Sequence, residues 1–240
     1  MDDQIPVVGF IKNTLIEWEG EIASVVLVPF CNFRCHYCHS HNLVRGGLDQ
    51  IDKQEIFDYL EEMEDWVTGV VISGGEPTMF PAFRILNFIS NFKAPVKLDT
   101  DGAYPWVIED LLVHTDQIKK ICMDVKAPFD KESYRKVIGF DSPLNIDSVK
   151  ETANILIRCG VEHEFRTTVC PEFHKMKDIV EIAKSIEGAD EYVLQRFRPG
   201  DCLNPEFNEK ETYSFDDLRR FAEAAGEYVR CRVRGDSDDE

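Results

Sequence analysis

Residues 23–39 read ASVVLVPFCNFRCHYCH, and this stretch decides the fold. It opens with a short apolar run, Ala23–Val28, of the length and composition that are typical of a buried β-strand. Three cysteines then follow within eight residues, Cys31, Cys35 and Cys38, at the spacing C-x3-C-x2-C. The stretch therefore predicts a buried strand that leads into an irregular loop with three thiols, called the cysteine triplet below.

The alternation of short apolar runs with longer amphipathic segments continues along the chain. The strand-like runs are Ala23–Val28, Val67–Ser73, Val96–Asp99, Lys119–Val125, Glu164–Val169 and Tyr192–Phe197. The helix-like segments between them are Lys53–Met63, Ala82–Asn91, Trp106–His114, Ile146–Cys159, Lys177–Ser185 and Phe215–Val229. Six strand–helix units in succession imply an α/β fold with a parallel sheet and right-handed crossovers. Such a sheet is either open and doubly wound or curled into a full or partial barrel.

Chemically distinctive residues lie at the ends of these strand-like runs or within the last two. In chain order they are the cysteine triplet, Gly74, Gly75 and Glu76, then Thr100, Asp124 and Lys126, Arg166 and Thr168, and Gln195. In parallel sheets and barrels, ligands bind at the carboxyl ends of the strands. We therefore expect these residues, although far apart in sequence, to meet at one rim.

The cysteine triplet is a candidate metal site. Cysteine thiolates are the usual ligands of iron–sulfur clusters, and three of them leave one iron of a four-iron cluster open to a bound substrate. A zinc site is an alternative, because a nearby imidazole readily supplies a fourth ligand. The candidates for that fourth ligand are His36, His39 and His41.

The cysteine spacing, with the aromatic Tyr37 before the last cysteine, resembles the signature of the radical S-adenosylmethionine (SAM) superfamily. The resemblance implies a parallel (βα)6 partial TIM barrel, a 4Fe–4S cluster held by the triplet, and SAM bound to the open iron. In that family an electron from the cluster cleaves SAM to methionine and a 5′-deoxyadenosyl radical. It also implies that Tyr37 lies near the adenine of SAM, with an ordinary packed aromatic as the alternative.

Two further segments resemble parts of the family's SAM site. The Gly74–Gly75 pair, followed by Glu76, resembles a glycine-rich motif near the methionine amino group, and paired glycines let a backbone approach a ligand closely. Glu76 either accepts a hydrogen bond from the ammonium group or stabilises the loop. Residues 98–102 read LDTDG and resemble a segment that is usually D-T-N-G, which places Thr100 at the site and Asp101 where asparagine is usual.

Charged residues at the next two strands complete the predicted SAM site. Asp124 and Lys126 resemble the activase pattern D-x-K-x-P and would face the same side of a strand. They either contact the cofactor or form a structural ion pair. Arg166 resembles the family's strand-borne arginine, and its planar guanidinium suits the methionine carboxylate. An internal salt bridge is the alternative for Arg166.

The N-terminal segment resembles a narrower family. Residues 9–20 read GFIKNTLIEWEG and look like the opening of anaerobic ribonucleoside-triphosphate reductase activating proteins, with Glu19 where proline is usual. The resemblance implies an enzyme that generates a glycyl radical on a partner such as an anaerobic ribonucleotide reductase, with reduced flavodoxin or ferredoxin as electron donor. One alternative is a radical SAM enzyme that acts on a small molecule or nucleoside precursor, as in deazapurine synthesis. Another is a non-catalytic zinc-binding adaptor.

Composition bounds the remaining choices. The chain has 240 residues with 45 acidic and 27 basic side chains, a net charge of −18, and such a surface repels phosphate backbones, so we expect no nucleic acid partner. The sequence has no signal peptide and no apolar run that could span a bilayer, which predicts a cytoplasmic protein without a membrane partner. We expect one domain over 1–240, made of an N-terminal extension (1–20), a core (21–200), a C-terminal helix region (201–235) and an acidic tail (236–240).

Overall fold

The computed structural model describes residues 3–235, and it contains one eight-stranded sheet with helices packed against it. The strands are β1 (Gly9–Thr14), β2 (Ala23–Val28), β3 (Gly69–Gly74), β4 (Val96–Thr100), β5 (Ile118–Asp124), β6 (Glu162–Val169), β7 (Glu191–Arg196) and β8 (Cys231–Arg234). The helices are α1 (His41–Arg45), α2 (Lys53–Glu62), α3 (Ala82–Ile89), α4 (Pro105–His114), α5 (Lys131–Ile138), α6 (Ile146–Arg158), α7 (Met176–Ser185) and α8 (Phe215–Ala225). The expected acidic tail at 236–240 lies outside the described residues.

The strands lie side by side in the order of the sequence, from β1 to β8. β1 pairs antiparallel with β2, and every later neighbouring pair is parallel. Glu19, in the connection between β1 and β2, forms an ion pair with Arg232 of β8 at 2.9 Å, so the sheet curls until its two edges approach each other. Over residues 3–235 no backbone pairing joins β8 to β1. The architecture is a partial (βα)6 barrel, which confirms the predicted fold class.

The helices pack on the outer face of this sheet through apolar side chains. The second helix shows how the sequence specifies this arrangement, since Ile56 of α2 is fully buried. Asp52 caps that helix, as its carboxylate accepts a hydrogen bond from the Gln54 N–H at 3.0 Å. Outward-facing residues of the sheet, such as Val70 and Ile72 of β3, join the helices in a continuous core. Among the described helices, none is long and apolar enough to cross a membrane.

The face of the sheet that lines the barrel interior carries charged side chains. Lys97 of β4 is only 1% exposed and interacts with Asp99 at 3.0 Å and with the carbonyl oxygen of Glu17 at 2.6 Å. Trp18, which follows Glu17 in the chain, packs inside the barrel against Gly69 at the start of β3. A Cβ on Gly69 would lie 2.7 Å from the indole ring. Glu17 and Trp18 of the connection between β1 and β2 therefore fill the amino-terminal end of the barrel.

All six predicted strands and all six predicted helices are present, with ends that differ by a few residues. The elements not predicted are α1, α5, β1 and β8, and each is short. The expected N-terminal extension contributes β1 to the sheet, and the expected C-terminal helix region also contains β8. α1 and β8 have only five and four residues, and β1 (GFIKNT) lacks a continuous apolar run, so these three depend on tertiary packing and the sequence pattern did not indicate them.

Candidate active site

A cavity of about 500 Å³ opens at the carboxyl ends of the strands. The cavity is lined by all eleven predicted cluster and cofactor residues and by two further residues expected at the rim, Thr168 and Gln195; the eleven are Cys31, Cys35, Tyr37, Cys38, Gly74, Gly75, Glu76, Thr100, Asp124, Lys126 and Arg166. They belong to the loop after β2, the end of β3 and the loop that follows it, and the ends of β4, β5 and β6. The rim that was expected from strand order is therefore a single site in the structure.

The loop with the cysteine triplet is fixed by backbone hydrogen bonds to later parts of the chain. The N–H of Arg34 donates to the carbonyl of Ile138 at 3.0 Å, at the end of α5 where helix carbonyls lack intrahelical partners. On the other side, the N–H of Leu203 donates to the carbonyl of Cys38 at 2.8 Å. The short helix α5, which was not predicted, thus anchors the loop that carries the thiols.

The thiols of the triplet are free, with Cys35 buried and Cys31 and Cys38 half-buried. Burial raises the pKa of Cys35 to about 12, and burial also raises the pKa of Cys38. At Cys31, burial raises the pKa, and the carboxylates of Asp101 and Glu76 raise it further. Metal-free protein therefore holds protonated thiols at neutral pH, and a metal that binds them as thiolates must displace their protons.

The histidines close to the triplet are engaged elsewhere. His36 stacks on Phe207 with ring centroids 5.4 Å apart. The Nε2 atom of His39 lies 2.9 Å from the backbone carbonyl of Arg198, and that of His41 lies 3.0 Å from a carboxylate oxygen. Between residues 3 and 235, no group of three or more His, Cys, Asp or Glu side chains is arranged to hold a single metal ion. A zinc ion bound through the Nε2 atom of His39 or His41 would have to displace the present partner of that atom.

The Gly74–Gly75 pair lets two loops pack backbone against backbone. A Cβ on Gly75 would lie 1.8 Å from the carbonyl oxygen of Phe30, and a Cβ on Gly74, where φ is +115°, would lie 2.6 Å from the backbone of Val28. The N–H of Gly75 donates to the Val28 carbonyl at 2.8 Å, and the N–H of Glu76 donates to the Phe30 carbonyl at 2.7 Å. These glycines therefore let the glycine-rich loop contact the loop that follows β2. A contact between the glycines and SAM stays a prediction.

Glu76 is buried and ties the glycine-rich loop to the end of β4. Its Oε1 accepts hydrogen bonds from the Thr78 N–H at 2.9 Å and from the Thr100 hydroxyl at 2.8 Å, and its Oε2 accepts one from the Asp101 N–H at 2.6 Å. Burial raises the pKa of Glu76, while these hydrogen bonds oppose the rise. The loop-stabilising role is therefore present, and Oε2 keeps an acceptor position for an ammonium group.

A line of alternating charges crosses the cavity wall. Lys126 Nζ lies 2.9 Å from one carboxylate oxygen of Asp124, and Arg166 Nε donates to the other at 2.9 Å. Arg166 also lies 3.4 Å from Asp99, the partner of Lys97. Burial opposes ionisation of Asp124, but Arg166 and Lys126 hold its pKa well below the usual value. The internal ion pairs considered as an alternative are therefore present. These side chains also line the cavity, and their contacts with a cofactor stay predictions.

Several polar groups on the cavity wall have no hydrogen-bond partner among the described residues, and two of them lie on the side of the thiols. One is the hydroxyl of Tyr37, which is 8% exposed and whose pKa burial raises well above its usual value. The other is Oδ2 of Asp101, whose pKa is raised by burial and then by Glu76. Buried polar groups normally have partners, so the orphaned pair fits a polar ligand such as SAM beside the thiols. The donor set and the unsatisfied groups therefore suit a cluster and its cofactor.

Sequence reasoning placed Gln195 of β7 at this rim but missed the cationic side chains of the same part of the cavity. These side chains are Arg196, Arg198 and Arg234. Asp99, which pairs with two buried cations, was also missed. A charge within an apolar strand-like run was the available signal for Asp99, whereas no local pattern distinguishes the three arginines from solvent-exposed ones.

Comparison with known proteins gives two sequence similarities. The sequence profile of the Radical SAM superfamily matches residues 25–186. A protein of Methanocaldococcus jannaschii, provisionally named a glycyl-radical enzyme activating enzyme, is 28% identical over 223 residues. That alignment covers 92% of each chain, so the similarity extends well beyond the cysteine loop.

Solved structures share the fold at low sequence identity. SuiB from Streptococcus suis, bound to its precursor peptide SuiA, superposes with a TM-score of 0.70 and 17% identity. The alignment covers 89% of this chain and 48% of SuiB, so the chain spans about half the length of SuiB. A radical SAM methyltransferase from Sphaerobacter thermophilus gives a TM-score of 0.64 and 18% identity, covering 90% of this chain and 68% of that one. At these identities the similarity concerns the partial barrel alone.

Proposed function

Because the chain belongs to the radical SAM superfamily, we propose that it is a glycyl-radical enzyme activating enzyme. Its partner is an enzyme such as an anaerobic ribonucleotide reductase, and reduced flavodoxin or ferredoxin supplies the electron. The chemistry that the bound cofactors supply is the reductive cleavage of SAM to a 5′-deoxyadenosyl radical, which takes a hydrogen atom from a glycine Cα. The observation that carries the proposal is the convergence of the triplet and eight further predicted residues on one cavity.

In this proposal the chain's own residues hold and orient the cofactors. The cysteine triplet would hold the cluster through its three thiolates, and the cavity that it lines would receive SAM. The contacts to SAM come from Tyr37, Gly74, Gly75, Glu76, Thr100, Asp124, Lys126 and Arg166. Transfer of a hydrogen atom needs positioning and exclusion of water rather than a general acid or base. The cavity at the carboxyl ends of the strands offers those positions.

Two observations support the activating type. The relative with a name of that type aligns with 92% of this chain. The segment that resembles the activating proteins, residues 9–20, forms β1 and its connection to β2 at an edge of the barrel. In that connection Leu15 and Ile16 are 70% and 73% exposed, and Ile16 also lines the cavity. A loop of a large partner that enters the cavity would contact this exposed apolar pair.

The test begins with anaerobic reconstitution of the wild type, Cys35→Ala and Cys159→Ala. Cys159 follows α6, away from the cavity, and is a matched control for the loss of one thiol. We expect the wild type and Cys159→Ala to bind about four irons per chain and to form 5′-deoxyadenosine with dithionite and SAM. Cys35→Ala should do neither. Mixing reduced wild type and SAM with a candidate reductase should then yield a glycine-centred doublet in electron paramagnetic resonance.

Two results would contradict the proposal. If the triplet binds zinc and no 5′-deoxyadenosine forms, the hypothesis of a radical SAM enzyme is wrong. If 5′-deoxyadenosine forms but no candidate partner gives a doublet, while a small molecule is turned over, the chain is a radical SAM enzyme of another type.

A further inference from the structure

The cavity extends beyond the predicted cofactor contacts to a second wall. This wall is formed by the end of β7, the start of α8 and the end of β8, and it carries Gln195, Arg196, Arg198, Phe215 and Arg234. Because the sheet curls, β7 and β8 lie across the cavity from β3 and β4, which carry the glycine-rich loop and Thr100. The second wall is therefore available to a substrate when the opposite side holds SAM.

Most cations of the cavity have a carboxylate partner. Lys126 and Arg166 pair with Asp124, and Arg234 donates to Glu164 at 2.9 Å. These pairs offset the positive charges of Lys126 and Arg166 near β5 and β6 and that of Arg234 on β8.

Arg196 and Arg198 have no such partner in the part of the chain that the structure describes, and of the two only Arg196 is partly buried. No carboxylate lies within 4.0 Å of its guanidinium anywhere in residues 3–235, and its Nε is buried without a hydrogen-bond partner. A buried donor without a partner costs stability, so its presence calls for a ligand that satisfies it. The chain has 45 acidic residues and only 27 basic ones, so carboxylates that could pair with an arginine are abundant. The lack of one at Arg196 is therefore not explained by composition.

An aromatic ring holds the guanidinium of Arg196 in place. Its central carbon lies 5.1 Å from the ring centroid of Phe215, the first residue of α8. Stacking on a ring occupies one face of the guanidinium and leaves the N–H groups at its edge free, in the planar fork that matches a carboxylate or a phosphate. Arg198, two residues along and exposed, adds a second positive charge at the mouth of the same wall.

We propose that Arg196, seated on Phe215, binds an anionic group of the substrate at the second wall. This inference rests on the proposed function, and it names what that function requires of the partner. The anion is the carboxylate of an aspartate or glutamate that lies close in sequence to the target glycine. A phosphate on a small molecule would present the same chemistry, and the test separates the two.

The experiment uses reconstituted holoenzyme with SAM, as wild type, Arg196→Gln, Arg196→Lys and Arg220→Gln. Arg220 is exposed on α8 and does not line the cavity, so Arg220→Gln is a control that removes the same charge elsewhere. The probes are the peptide acetyl-Ser-Gly-Asp-Ala-amide, its Asn analogue and inorganic phosphate, with binding followed by calorimetry. We expect the wild type to bind the Asp peptide at least about tenfold more tightly than the Asn peptide. Arg196→Gln should abolish that preference, Arg196→Lys should keep part of it, and Arg220→Gln should keep all of it.

A second measurement, partner-free cleavage of SAM with dithionite, shows whether Arg196 serves the cofactor instead. We expect the KM for SAM to be unchanged within about twofold in Arg196→Gln. A tenfold rise would overturn the proposal, as would equal binding of the two peptides by the wild type. If phosphate binds more tightly than the peptides and Arg196→Gln loses that binding, the anion belongs to a small phosphorylated substrate rather than to a carboxylate of the partner. If the Asp preference holds but no glycyl radical forms with any partner, the proposed function fails and the anion site stands.

Discussion

Replacing Gly75 with alanine tests whether the glycine pair serves the packing of two loops. The backbone at Gly75 is not in the left-handed region, so alanine can adopt it and the cost comes from contact alone. The added Cβ would lie 1.8 Å from the carbonyl oxygen of Phe30, whereas Cβ atoms essentially never approach other atoms closer than 3.0 Å. The glycine-rich loop and the cysteine loop would have to separate by about 1.2 Å at this point.

That separation would break two buried backbone hydrogen bonds, from Gly75 to Val28 and from Glu76 to Phe30. Each buried group left unpaired costs about 1–3 kcal/mol, and overpacking against rigid backbone adds about 1–3 kcal/mol. We expect a loss of about 3–9 kcal/mol in the free energy of unfolding, out of the roughly 5–15 kcal/mol of a typical domain. At about 2–4 °C per kcal/mol for a chain of this length, the Tm should fall by at least about 6 °C.

The assay is thermal and guanidinium unfolding of the anaerobic apoprotein by circular dichroism, followed by iron analysis after reconstitution. Gly226→Ala is the control, because its backbone is helical (φ −60°) and its Cβ would meet nothing closer than 3.1 Å. It should stay within about 1 kcal/mol of the wild type. If Gly75→Ala is equally stable and takes up the same amount of iron, the loops do not depend on this contact and the reasoning is wrong.

Three further predictions concern buried charges. Burial lowers the pKa of His174 to about 4, so the unfolded chain takes up a proton near pH 6.5 well before the folded protein does. Stability is therefore lost as pH falls, and guanidinium titrations should show the wild type losing about 2 kcal/mol more than His174→Gln between pH 7 and pH 5. Lys97→Met should lower the free energy of unfolding by about 3–5 kcal/mol, because it leaves buried acceptors unpaired. The control Lys93→Met, at a side chain that is 89% exposed, should lower it by less than about 1 kcal/mol. Equal losses in the two variants would contradict the buried pairing. Asp101→Asn removes the repulsion with Glu76 and should stabilise the apoprotein by about 1 kcal/mol at pH 7, while a loss of iron binding would show that the carboxylate itself is required.

Much of the site was readable from local sequence signals. The spacing of the cysteine triplet and the period of the apolar residues each depend on neighbours within one or two turns of chain. A parallel strand also has a direction, so a residue that follows a strand-like run must lie at the carboxyl edge of the sheet. This is why Thr100, Lys126 and the Gly74–Gly75 pair were placed at one rim before any contact was known, and why all six strand–helix units are present in the structure.

The sequence alone thus determined the α/β class, the thiol loop and the edge on which the polar residues meet. Only the tertiary structure decided that the sheet curls into a partial barrel, with Glu19 reaching Arg232 across the gap, and that β8, a strand of four residues with two arginines, joins β7. Only the tertiary structure pairs Arg166 with Asp124 and leaves Arg196 without a carboxylate. The reason is physical: whether a charge is paired, or a glycine is required, depends on atoms tens of residues away that chain folding brings within a few ångströms. Nothing in the local pattern records those distances.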